Sequence, residues 1–161
     1  MKIGVISDTH IPRTAKDIPS VIYSEFKNVD LIVHAGDFVE IDFLNRLRDL
    51  KETIAVYGNL DSNEVVDALK AKEIIEAGGF RIGLVHGWGP PGGLIERIEQ
   101  EFKGEKIDSI IFGHSHRAMN ETKNGILFFN PGSPTDKIFA PFNSYGVLEV
   151  TDKITAKVIK L

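Results

Sequence analysis

The chain has 161 residues, 42% hydrophobic and 26% charged, with 19 Lys and Arg against 23 Asp and Glu for a formal net charge of -4. That length and composition fit one globular domain, expected to span residues 1–161, and exclude a disordered, collagen-like or coiled-coil chain. The absence of cysteine excludes disulfide scaffolds and thiolate metal sites, and the acidic balance argues against strong nucleic-acid binding, which needs a basic face.

Met1-Lys2-Ile3-Gly4-Val5-Ile6 lacks the long apolar stretch of a signal peptide, and no run approaches the ~20 apolar residues of a membrane span. A soluble, cytoplasmic protein without membrane association is therefore expected. Ile3-Gly4-Val5-Ile6 is the first of a series of short apolar runs that read as strands. Val21, Ile22 and Phe26 follow with helical spacing. Leu31-Ile32-Val33 is the next run, then a helical stripe of Ile41, Leu44 and Leu47, then Ile54-Ala55-Val56-Tyr57, then Val65, Val66 and Leu69. Ile82-Gly83-Leu84-Val85 and Ile110-Ile111-Phe112 flank a last stripe of Leu94, Ile95, Ile98 and Phe102. Continuous Ile- and Val-rich runs suit strands buried on both faces, and their alternation with helices implies βαβ units and a largely parallel sheet.

The last third changes character. Ile126-Leu127-Phe128-Phe129, Gly146–Val150 and Ile154–Ile159 read as strands without long helices between them, with Asn124-Gly125 and Thr151-Asp152-Lys153 as hairpin turns. They add antiparallel strands and a second sheet packed on the first. The fold class is α/β.

Chemistry enters where the apolar runs stop: Ser7-Asp8-Thr9-His10, then His34-Ala35-Gly36-Asp37, Gly58-Asn59-Leu60-Asp61, His86-Gly87 and Gly113-His114-Ser115-His116. The steps from His10 to Asp37, Asn59, His86 and His114 are each about one βαβ unit. Parallel strands deliver their carboxyl ends to one edge, where such sheets bind ligands, so these dispersed residues should converge. Taken singly each has an ordinary role: Asp as a turn or N-cap residue, Gly-Asn as a turn, a lone imidazole as a buried hydrogen-bonding group. Their joint occurrence at five consecutive strand ends points instead to a metal. Imidazole, carboxylate and amide oxygen without thiolate suit Mn, Fe, Ni, Co or Zn. Seven candidate ligands, Asp8, His10, Asp37, Asn59, His86, His114 and His116, suit two ions if Asp37 bridges them. His114 and His116, two apart, are expected on the same side of a strand or turn. His34, inside its strand, reads as structural.

Asp8-x-His10, Gly36-Asp37, Gly58-Asn59-x-Asp61, His86 and Gly113-His114-x-His116, in that order, resemble the calcineurin-like metallophosphoesterases. The short chain and the later Asn130-Pro131-Gly132-Ser133 are similar to its small YfcE-like phosphodiesterase branch, which also contains a eukaryotic retromer subunit. The resemblance implies a single-domain, two-sheet αββα sandwich. It also implies that Asp8, His10 and His116 hold one metal, that Asn59, His86 and His114 hold the other and that Asp37 bridges. Asn59 would in addition reach the substrate phosphate. Many members of the wider superfamily place a histidine after that asparagine to protonate the leaving group. Here the residue is Leu60, so no catalytic acid is assigned; Asp61 is a weak candidate, with a helix N-cap the better reading. Trp88 is read either as a stacking partner for an aryl or base group or as loop packing. Arg13 and Arg117 are read as phosphate contacts or, preferably, as surface charge.

The expected function is hydrolysis of a small phosphodiester through a metal-bridging hydroxide at a dinuclear site. The alternatives are a catalytically weak protein-interaction scaffold and a phosphomonoesterase or nucleotide hydrolase. Phe139 and Pro141-Phe142 leave an apolar patch and a homo-oligomer open.

Overall fold

The runs at Ile3, Leu31 and Ile54 form β1 (Lys2–Ile6), β2 (Leu31–His34) and β3 (Thr53–Ala55), side by side and parallel in the computed structural model, which describes residues 1–161. Two late strands, β9 (Ser144–Val150) and β10 (Ile154–Lys160), return to this sheet antiparallel, giving the order β10-β9-β1-β2-β3. The second sheet takes β4 (Lys72–Ala77), β5 (Phe80–Val85), β6 (Ser109–Ile111), β7 (Met119–Lys123) and β8 (Ile126–Asn130) in the order β4-β5-β6-β8-β7. Its core β5-β6-β8 is parallel and its two edges are antiparallel. In the turn joining β7 to β8, Asn124 and Gly125 both have positive φ, 53° and 82°, the geometry a two-residue hairpin turn needs.

Side-chain alternation along the strands builds three layers of apolar contact. Ile3, Val5, Leu31 and Val33 meet Ile82, Leu84, Ile111 and Phe129 between the sheets. Ile6 and Ile32 turn the other way, toward Ile22 and Phe26 of α1 (Ser20–Phe26), Phe43, Leu44 and Leu47 of α2 (Ile41–Leu50) and Val65 of α3 (Asn63–Ala68). Val85, Ile110 and Phe128 face Leu94 and Ile98 of α4 (Leu94–Glu101). Both faces of each parallel core are thus covered, which is why its strands read as continuous apolar runs. At about 1.5–3 kcal/mol per buried side chain, these layers fix how the sheets face each other. The result is the two-sheet αββα sandwich that the resemblance implies.

Two local expectations are corrected. The five strand ends do not share one sheet edge: β1, β2 and β3 belong to the first sheet, β5 and β6 to the second. Asp61 is not the cap of α3; Ser62 is, its hydroxyl accepting the Val65 N–H at 3.4 Å. No helix is long and apolar enough to cross a membrane.

Candidate metal centre

The carboxyl ends of both parallel cores open at the same end of the sandwich, and their loops are laced together. Asp8 N–H donates to Gly36 O and His10 N–H to Asp37 O, each at 3.0 Å, and Gly113 N–H donates to His86 O at 3.1 Å. Asp8, His10, Asp37, His114 and His116 all have positive φ (54°, 46°, 62°, 67° and 56°). Each such non-glycine residue costs about 1–3 kcal/mol and persists only where its surroundings over-determine it, a condition that clusters at functional sites. Two glycines make room for the carboxylates. A Cβ at Gly58 would overlap Asp37 Oδ1, and one at Gly113 would overlap Ser7 Oγ and lie 2.8 Å from Asp8 Oδ2.

Five of the seven candidate ligands converge in two groups that could hold a metal ion: Asp8, His10 and His116, and Asp8, Asp37 and His86. Asp8 Oδ2 accepts the Ser7 hydroxyl at 2.7 Å and its Oδ1 accepts the His114 N–H at 3.1 Å. Asp37 Oδ1 accepts the Leu60 N–H at 2.8 Å. That leaves Asp37 Oδ2 facing His86 Nε2 at 3.3 Å and His10 Nε2 at 3.8 Å. Asn59 and His114 stand outside these groups and pair with each other, Oδ1 to Nδ1, at 3.0 Å. His114 and His116 do not share a side: His114 packs edge-on against His86, whereas His116 packs against His10, with Nε2 atoms 3.1 Å apart.

His86 and His116 each have one nitrogen held by an oxygen and the other turned into the cluster, whereas both nitrogens of His114 meet oxygens, Nδ1 that of Asn59 and Nε2 that of Gly89. His86 Nδ1 donates to Ala35 O at 2.7 Å, His114 Nε2 to Gly89 O at 2.7 Å and His116 Nδ1 to Asp136 Oδ2 at 2.5 Å. Metal-ligating histidines almost always donate their second N–H in this way. His86 Nε2 is buried and has no hydrogen-bond partner. A buried unpartnered nitrogen beside two carboxylates fits a divalent cation, and so does the donor set of carboxylates and imidazoles.

The electrostatics agree. Burial opposes a charge on His86, but Asp37 and Asp8 outweigh it and push its pKa up to about 9. Burial would raise Asp37; His86, the Leu60 N–H and His10 overcome this and hold it at about 2. Burial lowers His10. Without metal, the cluster therefore carries ionised Asp37 beside a protonated His86. A cation bound there would take the place of that proton.

The remaining predicted residues sort plainly. Asp61 accepts three backbone N–H groups, from Asp37 at 3.0 Å and from Val39 and Gly58 at 2.7 Å each, so both its oxygens are engaged and it braces the Asp37 loop against the Asn59 loop. His34 is fully buried, stacked on Phe38 with ring centroids 3.6 Å apart and bonded to Thr9 Oγ1, as a structural histidine should be. Trp88 is engaged by the Arg97 guanidinium, 5.3 Å from its ring, and Arg97 also donates to the carbonyls of Trp88, Pro90 and Gly92. Arg13 is exposed, whereas Arg117 lines a cleft of about 550 Å³ with Asn59, Leu60, Pro91, Ile138 and Phe139 above the cluster. Sequence reasoning missed Asp136, which no motif marks. It also left the roles of Asn130 and Ser133 unread: Asn130 donates to Gly113 O and Ser133 to Asp8 O.

An αββα sandwich with candidate divalent-metal ligands at the strand ends of both sheets defines a class of metal-dependent hydrolases. The calcineurin-like phosphoesterase superfamily domain matches residues 1–153, and the chain belongs to that superfamily of phosphoric ester hydrolases. A probable metallophosphoesterase of Methanocaldococcus jannaschii is 39% identical over 165 residues, covering 100% of this chain and 82% of that protein. A protein of the same organism named as a phosphodiesterase is 30% identical over 146 residues, covering 82% of this chain and 83% of its own. The crystal structure of Vps29 from Entamoeba histolytica complexed with zinc is 25% identical, with a TM-score of 0.76 and 99% of both chains covered.

Proposed function

We propose that the protein is a divalent-metal-dependent phosphodiesterase with a dinuclear site. Asp8, His10 and His116 would hold one ion, Asn59, His86 and His114 the other, and Asp37 would serve both. The observation that carries this reading is that His86 and His116 each have the outer nitrogen fixed by an oxygen acceptor while His86 Nε2 lies buried without a partner beside Asp8 and Asp37. Asp37 Oδ2 accepts no backbone N–H and faces His10 and His86; Asp8 belongs to both groups, with Oδ1 3.5 Å from His116 and 3.9 Å from His86, but its two oxygens are already held by Ser7 and His114. Two divalent ions roughly 3.5–4 Å apart clamp the attacking and leaving oxygens of a phosphoryl transfer and lower the pKa of a bound water toward about 7.

The chain's own residues then set which ester is accepted. Asn59 stands at the cleft with a neutral amide that can meet a phosphoryl oxygen without repelling it. Arg117 is the single cation lining the cleft, enough for the one charge of a diester and poor for the dianion of a monoester. Leu60, Pro91, Ile138 and Phe139 also line it and offer apolar surface to the ester groups. Leu60, beside Asn59 on the cleft, has no proton to give a leaving oxygen, and Asp61 is kept from that task by its three backbone bonds. The favoured substrate is therefore a small diester with an apolar arm and an acidic leaving group, such as a phenol. The similarity to zinc-bound Vps29 supports a second reading, a metal-binding interaction scaffold. The test is to load the metal-free protein with Mn, Ni, Mg or Zn and compare an aryl diester with the monoester of the same phenol. Chelator-sensitive turnover of the diester, lost in Asp37→Asn, is expected; turnover of neither ester with any metal leaves the scaffold reading, and a monoester preference makes the protein a phosphomonoesterase.

A further inference from the structure

Asp136 lies in the loop between β8 and β9 and is only 5% exposed. Its Oδ2 accepts a hydrogen bond from His116 Nδ1 at 2.5 Å. Its two oxygens also accept the N–H groups of Ile138 at 2.8 Å, Phe139 at 3.1 Å and Ala140 at 2.9 Å. On the other side, the Asp136 N–H donates to Ser133 Oγ at 3.0 Å, and that hydroxyl donates to Asp8 O at 2.7 Å. One short loop therefore touches two of the three groups in the Asp8, His10 and His116 cluster. It also carries Ile138 and Phe139, which are 80% and 68% exposed, and the Phe139 ring packs edge-on against His116 with centroids 6.0 Å apart.

We propose that Asp136 is a positioning residue: by holding the Nδ1 proton of His116 it presents Nε2 as a bare ligand, and with the same carboxylate it caps the turn that sets Ile138 and Phe139 on the lip of the cleft. This rests on the reading of His116 as a metal ligand. A neutral imidazole has one proton and one lone pair. Left without an acceptor at Nδ1, it is free to place the proton on Nε2, where it blocks coordination. A carboxylate at Nδ1 removes that alternative, fixes the ring angle and makes the nitrogen facing the cluster a stronger base. A buried carboxylate serves this purpose better than a carbonyl because it carries the charge that a cation-bound imidazole polarises toward.

The test reads metal affinity rather than turnover. Mn²⁺ alone is titrated calorimetrically into the metal-free wild-type protein, Asp136→Ala, Asp136→Ser, His116→Ala and the double variant Asp136→Ala/His116→Ala. Circular dichroism of each metal-free variant checks that it folds. Serine can still cap the turn through Ile138 N–H but is too short to reach His116. Asp136→Ser therefore separates the two tasks, and it carries the test should the alanine variant fail to fold. Loss of an outer partner typically costs 10–100-fold in metal affinity. That loss is expected in both Asp136 variants for one of the binding events, with the other kept. In the His116→Ala background, removing Asp136 is expected to change affinity less than about 2-fold, since neighbours that act through one another are not additive. Wild-type affinity in Asp136→Ser, or an equal cost with and without His116, overturns the proposal. A wild-type protein that binds no Mn²⁺ overturns both this inference and the metal reading beneath it. Weakened binding in Asp136→Ser together with no diester hydrolysis by the wild type upholds this inference and removes only the phosphodiesterase.

Discussion

Alanine at Gly113 tests whether the carboxylate geometry depends on an absent side chain. Its backbone lies outside the left-handed region, so alanine adds no torsional strain and the effect comes from space alone. The new methyl group would occupy the place of Ser7 Oγ and approach Asp8 Oδ2 to 2.8 Å and Ala35 O to 3.1 Å. None of these groups can move freely, since Ser7 and Asp8 are fully buried. Overpacking of this kind costs about 1–3 kcal/mol. Turning Ser7 away also breaks its 2.7 Å bond to Asp8, a hydrogen bond to a charged group, for about 1.5–3 kcal/mol. The two overlap, so a total of about 3–5 kcal/mol is expected. At about 2–4 °C per kcal/mol for a chain of this length, the melting temperature falls by about 6–20 °C. Thermal melts followed by circular dichroism in chelator measure this directly, and repeating them in Mn²⁺ shows whether the displaced Asp8 weakens metal protection. A metal-free melting point within about 2 °C of wild type, with an unchanged Mn²⁺ increment, would refute the claim that this glycine is dictated by Ser7 and Asp8.

Mn²⁺ at about 100 times its dissociation constant should add about 2.7 kcal/mol to wild-type stability, seen as a rise in melting temperature that chelator reverses; no rise would count against metal binding by the folded state. The pH dependence of the metal-free protein follows from His86, whose pKa rises from 6.5 unfolded to about 9 folded. A raised folded pKa contributes stability that is full below 6.5 and is lost as pH climbs through 9, so metal-free stability should fall over that window. Mn²⁺ affinity should rise over the same window, because the ion displaces the His86 proton; calorimetry in buffers of different ionisation enthalpy counts the proton released. Asp61→Ala leaves three backbone N–H groups without their acceptor, and about 2–5 kcal/mol should be lost, read as a lower urea midpoint with unchanged slope. Leu60→His puts an imidazole on the cleft, and a general acid there is worth about 10²–10⁴-fold; the gain should appear with alkoxide leaving groups and vanish with nitrophenolates, and equal gains on both would argue against proton donation.

Strand positions that face a core on both sides announce themselves in the sequence. β1, β2, β5 and β8 are continuous apolar runs because a neighbouring layer covers each face. β4 and β7 went unseen for the opposite reason. They are sheet edges, and Lys72-Glu73-Ile74-Ile75-Glu76-Ala77 and Met119-Asn120-Glu121-Thr122-Lys123 carry the charge and polarity that edges use against unwanted pairing. The candidate ligands were legible because metal chemistry narrows the residue types. The left-handed backbone at five of them was not, since Asp and His, though enriched there among non-glycine residues, adopt positive φ only in a small minority of positions. Asp61 was misplaced by one position: the stretch Asp61-Ser62 offers two side chains able to cap α3, and only the fold decides that Ser62 caps while Asp61 turns back to the Asp37 loop. Asp136 had no signal at all, because its partners Ile138, Phe139 and Ala140 are met through the main chain and His116 lies twenty positions earlier.

The ligand loops hang from two separate sheets, Asp8, His10 and Asp37 from one and His86, His114 and His116 from the other. The distance across the centre is therefore measured out by the apolar filling between them, where Ile3, Val5 and Val33 abut Ile82, Leu84 and Phe129. Protein interiors are dense and transmit volume changes rather than absorb them. A methylene added or removed deep in that filling acts as a shim, widening or narrowing the gap between the halves without touching a ligand. The grease of this sandwich is its calliper.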